Sequence, residues 1–338
     1  MVEVPETTST VAPLVPESDN YDENDSASVS VTSSTVSLGS SIMKYREENG
    51  RTYHAYKEGK YALPNDEGEN DRLDHMNHLF SLTIDGKLYL SPLDKEKTHR
   101  VLDVGTGTGI WAIDFADEHP ASEVVGIDLS PIQPSFIPPN VRFEIDDLEE
   151  PWTFSSPFDF IYCRQMTGSF SDWPNFFKQA YDNLNPGGRI ELFDIVHPII
   201  TDDNSWPENS ALLKWTTLAT EAMIKFGRPI NSTLKYKEML LEAGFEDVKQ
   251  TEYKWPINRW PKDMKAKELG MWTHENVTTG LFGLSAFVFT NLVEPKWTVE
   301  ELEVFLVDVR NEFKDTKIHG YFPVYVVYGK KPEVAEAT

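Results

Sequence analysis

Three glycines spaced two residues apart follow a short apolar run in the first third of the chain. The run is Val101 to Val104, the glycines are Gly105, Gly107 and Gly109, and a segment of helical character begins at Ile110. A strand, a tight turn and a helix N-terminus in this order bring bare backbone N–H groups close to a bound ligand. This pattern predicts the first βαβ unit of a nucleotide-binding α/β fold.

An acid occurs at the position where such a fold holds a ribose. The next apolar run, Val124 to Ile127, ends in Asp128 and continues into Leu129. An acidic side chain at the tip of the second strand accepts hydrogen bonds from ribose hydroxyls. We therefore expect Asp128 and Leu129 to contact the nucleoside part of a cofactor.

Two kinds of cofactor fit the glycine loop. The segment Gly107 to Ala112 matches the G-x-G-x-x-A pattern of dinucleotide-binding proteins, which by itself is a weak signal. Asp103 favours S-adenosylmethionine instead, because a carboxylate there can accept from the ammonium group of that cofactor. A dinucleotide loop faces a pyrophosphate, and an anion gains nothing from an acid. The loop thus predicts S-adenosylmethionine, with a dinucleotide as the alternative.

The order of apolar and helical segments predicts a doubly wound sheet. Strand-like runs alternate with helical stretches through the middle of the chain, and two more runs follow towards its end. The predicted strands are 100–104, 123–127, 141–145, 158–162, 189–193, 248–255 and 322–328, and the predicted helices are 110–118, 173–184, 208–226, 235–243, 263–274 and 298–314. The segment 256–321 is too long for a hairpin turn, so we interpret it as an inserted lid or partner surface.

Further candidate residues follow the ends of the predicted strands. Asp146 or Asp147 is expected to bind the adenine amine, and Gln165 or Met166 the methionine part of the cofactor. Methyl transfer depends mainly on alignment of donor and acceptor, and a base is needed only if the acceptor must lose a proton early. His197 is a candidate base, although a lone histidine is more often a structural hydrogen-bonding residue. His274 and His319 are weaker candidates, and the chain shows no Cys/His spacing typical of a metal site.

Composition excludes several classes of partner. The formal net charge is −24, and so acidic a surface repels nucleic acid and anionic lipid, which favours a protein partner. The single cysteine, Cys163, leaves no internal disulfide, and the longest apolar stretch, Leu281 to Phe289, is too short to span a bilayer. The N-terminus lacks a secretory signal. We expect a nuclear or cytoplasmic protein that binds neither nucleic acid nor a membrane directly.

The chain divides by composition into a tail and one domain. Residues 1–43 are rich in Ser, Thr, acidic residues and Pro, which predicts a disordered tail. Residues 44–333 form the predicted domain. Its first part, 44–95, is interpreted as an N-terminal segment that packs over the mouth of the cofactor site.

Several motifs resemble the fungal LaeA-like methyltransferases. The D-x-G-x-G-x-G loop is similar to motif I of class I methyltransferases. The resemblance to the LaeA-like family extends over roughly 45–330 and rests on 48–54, 63–67, 71–74, 107–113, 128–134, 173–175 and 184–187. It implies a class I methyltransferase (Rossmann-like) fold. In that fold helices cover both faces of a seven-stranded sheet that is mostly parallel, with an antiparallel last strand.

The same resemblance implies a function. Members of this family bind S-adenosylmethionine, regulate secondary metabolism and development, and work in the nucleus with velvet-domain proteins. Some relatives are tailoring enzymes for small molecules. Our hypothesis is a LaeA-like S-adenosylmethionine-dependent methyltransferase that acts with velvet-type partners. A tailoring O- or N-methyltransferase is the alternative, and a cofactor-binding scaffold without activity is a third possibility.

Overall fold

The computed structural model describes residues 45–333 except 49, 55, 58, 59, 61 and 62. The predicted tail 1–43 lies outside the described residues. The strands are β1 Arg46–Glu48, β2 Arg51–Tyr53, β3 Arg100–Val104, β4 Glu123–Asp128, β5 Val141–Ile145, β6 Phe158–Arg164, β7 Leu184–Ile195, β8 Glu246–Pro256 and β9 Tyr321–Lys330. The α-helices are α1 Glu67–Thr83, α2 Ile110–Glu118, α3 Trp173–Asp182, α4 Ala211–Lys225, α5 Tyr236–Glu242, α6 Met264–Phe287 and α7 Val299–Lys314.

Seven strands form one sheet in the order β5-β4-β3-β6-β7-β9-β8. Every pairing from β5 to β7 is parallel, and β9 runs antiparallel to both of its neighbours. The chain moves outwards from β3 to β5 and then crosses to β6 on the other side of β3, so the topological switch lies between β3 and β6. The predicted class I methyltransferase sheet, with its antiparallel last strand, is confirmed.

Helices cover both faces of this sheet, because successive side chains of each strand point to opposite faces and both sets are buried. Leu102 and Ile161 lie in a core shared with α3 and α5. Their neighbours Val101 and Phe160 pack on the other face against α2. Phe193 continues this second face into a larger core with α1, α4, α6 and α7. Both faces are therefore sealed, and ligands approach the carboxyl ends of the strands.

The segment between β8 and β9 contains α6 and α7. The sequence predicted a helix over 263–274, but α6 continues to Phe287 and then into a π-helical turn, Val288–Leu292. The prediction was too short because 276–283 is rich in Thr and Gly, which have low helix propensity. Tertiary packing overrides that preference, since a Cβ at Gly280 would overlap the side chain of Arg72.

A buried arginine of α1 pairs with an acid of the same helix and connects α1 to α6 through Asn276. The Arg72 guanidinium donates to both carboxylate oxygens of Glu69, at 2.9 and 2.6 Å, and to Asn276 Oδ1 at 2.9 Å. In return, Asn276 Nδ2 donates to the Arg72 carbonyl at 2.8 Å. These contacts fix the N-terminal helix against the inserted helix. Within the described ranges, none of the helices combines the length and apolarity needed to cross a bilayer.

Candidate active site

The glycine loop after β3 is tied to the end of β4 by one carboxylate. Asp128 Oδ2 accepts from the Gly107 N–H at 2.8 Å, and Oδ1 accepts from the Ser130 N–H at 2.9 Å. Gly105 and Gly107 have φ values of +67° and +56°, in the region that favours glycine. Each oxygen of Asp128 keeps a second lone pair, so the carboxylate can still accept from ribose hydroxyls. Burial in the cleft raises the pKa of Asp128, although the backbone N–H groups oppose this.

Asp103 is not among the described residues that line the cleft. Its carboxylate is buried and accepts from the Thr106 hydroxyl at 2.6 Å. Burial raises its pKa to about 6, while the Thr106 hydrogen bond and the positive charge of Arg164 act in the opposite direction. Gly109 is also outside the cleft wall, and a Cβ there would overlap the ring of Phe143. Direct contact of these two residues with the cofactor stays a prediction.

Both predicted adenine-binding acids line the cleft beyond β5. Asp146 is exposed, and one of its oxygens accepts from the Asp147 N–H at 2.8 Å. Asp147 is buried, forms an ion pair with Lys60 and accepts from the Glu149 N–H at 3.0 Å. Leu129 lines the same end of the cleft. The two acids thus differ in how much of their hydrogen-bonding capacity is already used.

Gln165 forms the opposite end of the cleft, directly after β6. Its φ is +55°, which is uncommon for a non-glycine residue and marks a constrained position. The next two residues donate their N–H groups to the buried carboxylate of Asp194 at the end of β7, each at 3.2 Å. Gln165 and Met166 both line the cleft, as do Leu73, Asn77 and Phe80 of α1.

A second, more apolar cavity adjoins the cleft. Its walls come from α1, α4, α6 and the ends of β7, β8 and β9, and most of them are apolar, aromatic or methionine side chains. Gln165 and Ser169 line both the cleft and this cavity. The residues of the second cavity that sequence reasoning did not identify include Met76, Trp215, Ala219, Met223, Trp255, Val277 and Phe322.

His197 lies in the wall of the second cavity. Its Nδ1 is buried without a hydrogen-bond partner among the described residues, and its ring packs edge-on against Phe322. Burial lowers the pKa of His197 to about 4, so the imidazole is neutral at physiological pH. His274 and His319 line neither cavity, and their Nδ1 atoms contact the Phe313 carbonyl and Asp203.

A sequence profile of the family described as "Methyltransferase domain" matches residues 75–250 of this chain. The matched range includes the glycine loop, Asp128 and the strand ends that form the cleft. The chain is a methyltransferase of this family. Its cofactor is S-adenosylmethionine.

Named fungal proteins are similar over most of their length. Methyltransferase pytC of Aspergillus terreus is 40% identical over 309 residues, which span 91% of this chain and 94% of pytC. Secondary metabolism regulator LAE1 of Cochliobolus heterostrophus is 37% identical, over 85% of this chain and 94% of LAE1. Protein-methionine methyltransferase laeA of Emericella nidulans is 33% identical, over 86% of this chain and 77% of laeA. The predicted LaeA-like family is confirmed.

The side chains of the cleft suit the charges of this cofactor. S-adenosylmethionine carries a sulfonium and an ammonium cation, one carboxylate and a neutral adenosine. Acids dominate the cleft wall at the ends of β4 and β5, and the lining beyond the glycine loop adds the cation Arg164. The cofactor supplies an electrophilic methyl group, and the chain supplies the surfaces that align this group with an acceptor.

Proposed function

We propose that this methyltransferase is a LaeA-like regulator of secondary metabolism and development, and that its acceptor group binds in the second cavity. The observation that supports this acceptor site is that Gln165 and Ser169 line both the cofactor cleft and the second cavity. A methyl donor in the cleft and an acceptor in the second cavity would meet at these two residues. The regulatory role is supported by the names of LAE1 and laeA, which match along most of the chain.

The cavity wall indicates the chemistry of the acceptor. Trp215, Trp255 and Phe322 present aromatic surface, and the buried Arg72 is neutralised by Glu69. Such a wall favours an uncharged group on an apolar body, because an unpaired charge would lose its hydration there. We keep His197 as the candidate base, with its neutral imidazole accepting a hydrogen bond from the acceptor; a pKa of about 4 makes it a weak proton acceptor at physiological pH.

Filling the cavity tests this assignment. Ala219 lies on α4 and lines the second cavity, whereas Glu221 on the same helix is exposed. The Ala219→Trp variant should lose at least about tenfold in transfer of labelled methyl groups to fungal extracts, because a misplaced acceptor forfeits alignment. Its affinity for S-adenosylhomocysteine, measured by calorimetry, should stay unchanged. Glu221→Trp is the matched control and should behave as the wild type.

Retention of full methyl transfer by Ala219→Trp would contradict the assignment of the second cavity. The extract should be separated into protein and small-molecule fractions before counting. Label in protein supports the regulatory proposal. Label in one metabolite supports the alternative, a tailoring O- or N-methyltransferase, which the apolar and partly enclosed cavity also favours.

We further propose that the protein works in the nucleus or cytoplasm with velvet-type partners. The net charge of −24 supports recognition of a neutral or basic protein surface rather than nucleic acid. Affinity capture of the tagged chain from fungal cells, followed by mass spectrometry, should recover velvet-domain proteins. Robust turnover of a metabolite without such partners would favour the tailoring enzyme.

A further inference from the structure

Arg164 is a cation at the wall of the cofactor cleft. It is the last residue of β6 and stands directly before the constrained Gln165. Its guanidinium carbon lies 5.0 Å from the centre of the Phe80 ring and 6.0 Å from that of Tyr162. Contact with two aromatic faces restricts the side chain, so its position in the cleft is largely fixed before any ligand binds.

No acid of the described chain forms an ion pair with this guanidinium. The structure records neither a hydrogen bond nor a carboxylate within 4.0 Å of Arg164 among the described residues. The other cation of the cleft wall, Lys60, pairs with Asp147 and lies 3.3 Å from Glu149. Arg164 therefore keeps its hydrogen-bonding capacity for a group that enters the cleft.

The strand order places Arg164 at one particular end of the cofactor. Along the sheet, the acids after β5 come first, then Asp128 at the end of β4, then the glycine loop after β3, and finally Arg164 at the end of β6. If Asp128 holds the ribose and an acid after β5 holds the adenine, the amino-acid end of the cofactor extends towards Arg164. A carboxylate is the one anionic group of S-adenosylmethionine.

We propose that Arg164 binds the carboxylate of the cofactor's methionine part, an inference that rests on the proposed assignment of the cleft. A planar guanidinium matches a carboxylate with two parallel N–H donors, and such charge-assisted bonds are about twice as strong as neutral ones. Arg164 would thereby anchor the end of the cofactor that adjoins the second cavity. This contact would keep the methyl group of the cofactor aligned with the acceptor.

A purely structural role is the competing explanation. The charge of Arg164 also acts on the buried Asp103, so its removal would change the cleft even without a direct contact. Ligands that lack the carboxylate distinguish the two roles. 5′-Methylthioadenosine keeps the adenosine and the thioether but lacks the whole amino-acid end. A structural defect would weaken its binding as much as that of S-adenosylhomocysteine.

The experiment compares calorimetric affinities of the wild type and Arg164→Gln for these two ligands. We expect Arg164→Gln to bind S-adenosylhomocysteine about 10- to 100-fold more weakly, the usual range for a lost hydrogen-bonded charge pair. Binding of 5′-methylthioadenosine should change by less than about twofold. Arg164→Lys should recover part of the loss. Arg142→Gln, which removes a half-exposed arginine of β5, is the control and should change neither affinity.

Equal losses for both ligands, or no loss for either, would overturn the role of Arg164 and leave the cofactor site intact. Binding of neither ligand to the wild type would overturn the cofactor assignment itself. If Arg164→Gln does not fold, the wild type alone provides the test with S-adenosylmethionine and its decarboxylated analogue. The analogue should bind at least about tenfold more weakly, and equal affinity would refute the proposal.

Discussion

The ion pair between Glu69 and Arg72 yields the most direct test of how the domain is held together. Both side chains are almost fully buried, at 3% and 2% exposure, and the guanidinium makes three hydrogen bonds of 2.6 to 2.9 Å to Glu69 and Asn276. Arg72→Met keeps a long apolar stem but removes all three donors. It leaves a buried carboxylate without its guanidinium and Asn276 Oδ1 without its donor.

The expected cost of Arg72→Met is about 3–5 kcal/mol, because breaking a buried pair leaves an uncompensated charge. This is a large share of the roughly 5–15 kcal/mol that stabilises a typical domain. Glu69→Leu combined with Arg72→Met removes the stranded charge as well, so the double variant should recover most of the loss. The ion pair within α1 is thus predicted to add little net stability, and the Arg72 guanidinium holds α1 against α6 through its hydrogen bond to Asn276.

Urea unfolding, followed by tryptophan fluorescence, measures these free energies. The control is Arg142→Met, which removes a salt bridge whose arginine is 40% exposed and should cost less than about 1 kcal/mol. A loss below about 1 kcal/mol for Arg72→Met would mean that water replaces the guanidinium, and the argument from burial would then be wrong. A double variant that is as unstable as the sum of its single variants would equally refute it.

Three further predictions follow from glycine packing and from buried acids. Gly280→Ala should lower the free energy of unfolding by about 1–3 kcal/mol, because its methyl group would overlap the Arg72 side chain; thermal melting checks this. Gly105→Ala should abolish calorimetric binding of S-adenosylhomocysteine and destabilise the fold by at least about 1–2 kcal/mol, because φ is +67° and the added Cβ would overlap the Met166 side chain in the cleft. Burial raises the pKa values of Glu191 and Asp194 to about 7. Between about pH 4 and 7 the folded state therefore keeps protons that the unfolded chain has lost. As the pH rises through that range, each of these two acids should lower the free energy of unfolding by up to about 1.4 kcal/mol per pH unit. Urea titrations from pH 5 to 8 would show this decrease, and Glu191→Gln should make the dependence on pH less steep.

The fold could be predicted because the patterns that specify its strands and its glycine loop each lie within a short segment of the sequence. Each parallel strand is a short apolar run, and the glycine loop with Asp128 fixes which two strands begin the sheet. The structure then adds a contact that no pattern specifies, since the Asp128 carboxylate accepts from the Gly107 N–H. The resemblance to known methyltransferases supplied the antiparallel last strand, which apolar runs alone do not reveal.

The second cavity could not be predicted because its walls are distant in sequence. Met76 in α1, Trp215 in α4 and Val277 in α6 meet only after the inserted segment folds over the strand ends. No spacing connects these residues, and each is an ordinary core residue in its own helix. A role for Arg164 could not be predicted for a different reason. An arginine at a strand end is common in any sequence, and only the structure shows that Arg164 has no acidic partner among the described residues.

The end of β7 supports residues that line both the cofactor cleft and the second cavity. The Asp194 carboxylate accepts from the N–H groups of Met166 and Thr167 and from the Tyr236 hydroxyl at 3.0 Å, which fixes the loop that begins with the constrained Gln165. Three residues further on, His197 enters the second cavity. One strand end therefore positions both the loop that lines the cofactor cleft and the His197 imidazole in the wall of the second cavity. Because methyl transfer depends on alignment, such a shared support would keep donor and acceptor in register without a charged base.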